Sequence, residues 1–99
     1  MLKLTVEELA SYPVARISGE QSNALNVEVG GLYDEKTDIL GLIVLDKYDR
    51  DYGYIVLKKD ANKEEYPGKY AAVDMQASFS TYEIAEEALR NAMERNVTQ

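Results

Sequence analysis

The chain has no cysteine, no histidine and no tryptophan, and only two prolines and one phenylalanine in 99 residues. Without cysteine there is no disulfide frame, no thiolate metal site and no thiol nucleophile. Without histidine, the usual general base near neutral pH and the commonest transition-metal ligand are both missing. Basic residues are the minority, with 11 Lys and Arg against 18 Asp and Glu, a formal net charge of −7. Proteins that grip phosphate backbones draw their affinity from Lys and Arg. Direct nucleic-acid binding is therefore not expected, whereas a basic protein partner suits the charge.

Long apolar runs are missing too. Met1-Leu2-Lys3-Leu4 passes at once into Thr5-Val6-Glu7-Glu8. No run reaches the length of a secretory apolar region, or the roughly 20 residues of a membrane span. The expectation is a cytoplasmic protein without membrane contact; for a phage gene, the cytoplasm would be that of the host.

The length suits one domain spanning 1–99, because domains most often run to about 100–150 residues. Thr5 with Glu8 three places on reads as a capping box, which predicts a short helix over about Val6–Ala10. Pro13 stops it, since a residue before proline is pushed out of the α region. Val14 to Ile17 alternates and is a candidate extra strand, and Gly19 to Asn23 reads as a polar loop. From Leu25, the apolar residues Leu25, Val27 and Val29 alternate with Asn26 and Glu28, the period of a half-buried strand. Gly30-Gly31 then marks a bulge or a close backbone approach. Asp34 to Asp38 is a polar turn. Ile39 to Leu45 is apolar on both faces, as in a strand covered on both sides. A short loop at Tyr48–Asp51 returns the chain along Tyr52 to Leu57, which predicts a hairpin.

A charged loop, Lys58 to Gly68, ends in the turn signature Tyr66-Pro67-Gly68. Lys69 to Ala77 is the next strand, with Val73 and Met75 expected on one face and Asp74 and Gln76 on the other. Ser80 and Glu83 read as a second capping box. Ala85, Ala88, Leu89, Ala92 and Met93 then recur as one apolar helical stripe, with Glu83, Glu86, Glu87, Arg90 and Glu94 expected opposite and Asn96 as the stop. The expected fold is α+β: an antiparallel four-strand meander, five-stranded if Val14–Ile17 joins it, packed by a C-terminal helix, with a short N-terminal helix. One helix covers one face only. Leu40, Leu42 and Val44 on the second face need cover from Leu4, Leu9, Val14 and Ile17, or from a second copy or another partner.

Few residue groups suggest chemistry. Asp46, Asp49 and Asp51 crowd the hairpin with Gly53, but their spacing does not match a calcium loop, and Lys47 and Arg50 offset part of the charge. Solvated turn residues explain them, and no metal or cofactor is expected. Tyr48, Tyr52 and Tyr54 join the aspartates, and tyrosine is both an interface residue and an ordinary strand residue. Ser78-Phe79-Ser80-Thr81 reads as helix capping. No phosphate loop, dinucleotide fingerprint, nucleophile elbow or zinc pattern occurs.

The residues thus point to a non-catalytic interaction protein. Its candidate contact set is Asp46, Tyr48, Asp49, Asp51, Tyr52 and Tyr54, facing a basic partner. By class analogy alone, small acidic inhibitors of nucleic-acid-binding machines, of anti-CRISPR, anti-restriction or antitoxin and immunity type, work in this way. A homodimeric accessory or assembly domain is the alternative, and a small carboxylate-based enzyme the third.

Overall fold

Alternating apolar residues between short turns leave adjacent segments little choice but to run antiparallel. The computed structural model describes residues 1–15 and 26–97. Its elements are β1 (Leu2–Leu4), α1 (Val6–Leu9), β2 (Asn26–Asp34), β3 (Ile39–Asp46), β4 (Asp51–Lys59), β5 (Tyr70–Phe79) and α2 (Tyr82–Arg95). The five strands form one antiparallel sheet in chain order, and α2 packs on it, so the fold is α+β.

The fifth strand among the described residues lies at the N-terminal end of the chain. Leu2–Leu4 pairs with Gly31–Tyr33 and forms the edge beside β2. Three residues are too few to show a period, so this strand is visible only through its partner. Val14 makes a single parallel bridge to Tyr70. Pro13 accepts from the Tyr70 N–H at 2.8 Å through its carbonyl but has no N–H of its own to extend a ladder. Arg16, Ile17, the loop expected at Gly19–Asn23 and Leu25 lie outside the described residues, as do Thr98 and Gln99.

Both faces of the sheet are covered. On one, Leu32, Ile39, Ile43, Tyr54 and Val56 meet Ala85, Leu89, Ala92 and Met93 of α2. On the other, Leu40, Leu42, Leu57 and Tyr70 meet Leu4, Leu9 and Val14. The N-terminal segment therefore supplies part of the cover that the central strand demands. The glycine pair fulfils both roles expected of it. The β2–β3 register shifts between Glu28 and Gly30, which makes Val29 the extra residue and leaves it packed against the helix-side core. Gly31 lies so close to the Gly41 carbonyl and to Leu9 that a Cβ would overlap both.

Capping sets the helix ends. In α1 the box is complete: the Thr5 N–H donates to Glu8 Oε1 at 2.9 Å, and the Glu8 N–H to Thr5 Oγ1 at 3.2 Å. In α2 the cap is Thr81, one residue later than expected, and its Oγ1 accepts from the Ile84 N–H at 3.1 Å. With Ile84 at the third helical position, no carboxylate closes the box from the other side. Asn96 ends the helix and is itself buried. Its side chain donates to Ala92 O at 2.7 Å and Asp74 Oδ2 at 3.1 Å, while its carbonyl accepts from Lys58 Nζ at 2.6 Å. Asp74 thus fastens the end of α2 to β5. Glu86 departs from the expected outer face. Its side chain is only 14% exposed and lies 3.5 Å from Lys3 Nζ and 3.9 Å from Arg90, where the helix meets β1.

Candidate functional site

Asp46 begins the β3–β4 turn. Its Oδ1 accepts from the N–H groups of Tyr48 at 2.9 Å and Asp49 at 3.1 Å, and its carbonyl accepts from the Arg50 N–H at 2.7 Å. Arg50 takes φ 58, the left-handed conformation that brings the chain back at Asp51. Asp46 and Asp51 then stand directly opposite each other across the two strands. Paired residues share a face, and the face alternates along each strand. Asp46, Val44 and Leu42 therefore line up with Asp51, Gly53 and Ile55, on the side covered farther along by the N-terminal segment.

Among the described residues, that cover stops short of the hairpin end. There, Val44 and Ile55 are half-buried, and Met75, paired with Ile55, is 64% exposed. Gly53 opposite Val44 contributes no side chain, and β5 lies against it so closely that a Cβ would come within 2.9 Å of Gln76 O. The β4–β5 register also shifts between Tyr52 and Tyr54, with Ser78 at φ 72. Beside the bulge and the close seat of β5 on Gly53 lies an open groove of about 280 Å³. Its lining is mostly apolar, with Val44, Ile55, Met75 and Ala77 along it and Asp46, Asp51 and Asn26 at the hairpin end.

The candidate contact residues separate into two groups. Asp46 and Asp51 come together at the groove, and Tyr48, 78% exposed, and Asp49 project from the turn. Among the described residues, neither Asp49 nor Asp51 takes part in an ion pair. Tyr52 and Tyr54 point to the other face. The Tyr52 ring packs edge-on to Tyr82 at 6.1 Å. Tyr54 is 2% exposed and stacks on Phe79 at 5.8 Å, and its hydroxyl accepts from Arg95 at 3.2 Å. The Tyr54 side chain is a core element beneath α2, although Tyr54 also contributes to the lining of the groove. A period of two explains the division, because tyrosines two apart on one strand share a face, and here that face is the helix side. Among the described residues, no group of three or more Asp and Glu comes together as a metal-ligand set.

Ile55, Met75 and Ala77 are not in the sequence-derived contact set, and Val44 enters the sequence analysis only as part of a face in need of cover. The signal that marks their place is Gly53, since a glycine inside a strand marks a site where another chain or ligand approaches closely. In the sequence, Gly53 groups with the aspartates instead. Val73 and Met75 do not share a face in simple alternation, because the register shifts again between Val56 and Leu57 and makes Val73 the bulged residue.

A second polar cluster lies at the far end of the same face. Asp38 Oδ1 accepts from the hydroxyls of Tyr33 at 2.7 Å and Tyr70 at 2.5 Å, and Tyr12 rests against both rings. Burial, reinforced by the bond to Asp38, raises the Tyr70 hydroxyl pKa well above the ordinary tyrosine value. For Tyr33 the bond to Asp38 leads and burial follows. The fold favours the neutral phenols. Their contribution is complete below the ordinary tyrosine value and is lost as pH rises through the folded values. Stability should therefore fall between about pH 10 and pH 12, and Tyr70→Phe should make that fall shallower. Urea midpoints at the two pH values test this, and equal slopes in the two proteins would remove Tyr70 from the account.

Compared with protein-family models, curated proteins and solved structures, the chain matches none. No helix among the described residues is long and apolar enough to cross a membrane.

Proposed function

We propose that this chain is a non-catalytic interaction protein whose β3–β4 hairpin docks on a basic surface of a protein partner. The observation that carries this reading is the hairpin end itself. Exposed Tyr48 and the carboxylates of Asp49 and Asp51, which make no ion pair among the described residues, stand beside an apolar groove on a chain of net charge −7. Such a surface combines the apolar and aromatic contact that provides affinity with charge that steers encounter. Small acidic neutralisers of nucleic-acid-binding proteins use carboxylates in this way, and the class fits a cytoplasmic setting, that of the host if the gene is phage-borne.

The homodimer reading loses most of its surface to Leu4, Leu9 and Val14, and equal charges of −7 oppose it. The carboxylate-enzyme reading has a pair at the groove, but Asp46 commits Oδ1 to two backbone donors. Capture from a lysate by the immobilised chain tests the proposal. A basic protein should be held at low salt, released as salt screens the charge, and lost with Asp46→Asn/Asp49→Asn/Asp51→Asn. A partner that is indifferent to salt and to those changes would refute it.

A further inference from the structure

We infer that the groove at the hairpin end receives a single arginine side chain from an extended stretch of the partner. This rests on the reading above that the partner is basic. Three features define the occupant. The groove, at about 280 Å³, lies at the small end of ligand sites, which run from roughly 300 to 1,000 Å³. One long side chain fits within it. Its sides, Val44, Ile55 and Met75, are apolar and incompletely covered. They suit an aliphatic stem, which long basic side chains lay along apolar surface while the charged head remains at the polar end.

The head group follows from the hairpin end. Asp46 and Asp51 are like charges directly opposite each other, an arrangement that destabilises a strand pair. No described cation makes an ion pair with either. Asp46 uses Oδ1 for the turn, which leaves Oδ2 for a ligand. A cation between the two carboxylates relieves their repulsion. The planar guanidinium fits best because it presents several donors in a fixed fork and is more weakly hydrated than an ammonium. The arginine stem then runs from the hairpin end toward Met75, with its backbone over the exposed side of β5.

The test is a titration of the isotope-labelled chain with N-acetyl-arginine amide, followed by amide and methyl NMR shifts. Saturable shifts are expected at Gly53, Ile55, Met75 and Ala77. Binding should be at least about fivefold tighter than that of the lysine and citrulline analogues, because only arginine has both the charge and the fork. Ala77→Phe fills the groove and leaves every charge in place; it should weaken binding by about tenfold or more. Met75→Lys, at an exposed position, supplies the groove with its own cation and should do the same. Equal binding of citrulline or lysine, unchanged binding in both variants, or shifts spread over all acidic surfaces would overturn the inference. A salt-sensitive complex with a hexa-arginine peptide, lost in the three-aspartate variant, would in that case leave the proposed function standing. Absence of that complex as well would remove both.

Discussion

Leu89→Ala is expected to lower the stability of the folded chain by about 2–5 kcal/mol, the range for removing a fully buried leucine. Leu89 is 0% exposed and lies in the middle of the α2 stripe. Its methyl groups occupy the space above Gly41, where a Cβ would come within 2.7 Å of Leu89 Cδ1. The glycine admits the leucine, so shortening the leucine leaves a void that neither partner can fill. A domain of this size commonly has roughly 5–15 kcal/mol in total, so the loss is a large share. Urea unfolding should show a lower midpoint at an unchanged slope. A loss below about 1 kcal/mol would mean that α2 is not seated on β3 as described.

Gly31→Ala should be comparably damaging for the opposite reason. The added methyl would overlap the Gly41 carbonyl of the neighbouring strand and press on Leu9 from α1. A side-chain end can swing away, but a carbonyl held in the β2–β3 ladder cannot. Overpacking typically costs about 1–3 kcal/mol and sometimes more, and a backbone obstacle places this variant at the upper end. Gly68 provides the contrast. It has open space around it and φ 76, so alanine there meets no obstacle and costs only the left-handed conformation, roughly 1–2 kcal/mol. Similar urea midpoints for the two variants would argue against the close approach at Gly31.

Much of the architecture was legible because its signals are local. Thr5 and Glu8 specify a helix start within four residues. The doubly apolar run Ile39 to Leu45 specifies a strand that needs cover on both sides, and the stripe from Ala85 to Met93 specifies the helix that supplies one of them. The missed features depend on partners distant in sequence. Leu2–Leu4 is a strand only because Gly31–Tyr33 is there to receive it. Glu86 is mostly buried, and its partner Lys3 comes from the other end of the chain. Thr81 replaces Ser80 as the cap because the chain leaves β5 after a bulge at Ser78.

The candidate site follows the same division. Asp46, Tyr48, Asp49 and Asp51 could be read from the turn itself, since clustered aspartates mark a hairpin end. Tyr52 and Tyr54 look like their neighbours in sequence, yet the strand period turns them beneath α2. The groove was not legible, because it lies beside Gly53, which faces Val44, and beside a bulge on the next strand. Strand registers determine that arrangement, and a single sequence does not display them.

The central claim is that the position of the hairpin carboxylates matters, beyond the total charge. The most direct measurement compares two variants that lose the same charge. One is Asp46→Asn/Asp49→Asn/Asp51→Asn, in which asparagine at 46 can still accept the turn hydrogen bonds. The other is Glu83→Gln/Glu87→Gln/Glu94→Gln, on the exposed face of α2. Binding of a fluorescent hexa-arginine peptide at low salt should weaken by about tenfold or more in the first and by no more than about twofold in the second. Equal weakening in both would show that the acidic surface acts as a whole, and would contradict the assignment of the hairpin as the contact.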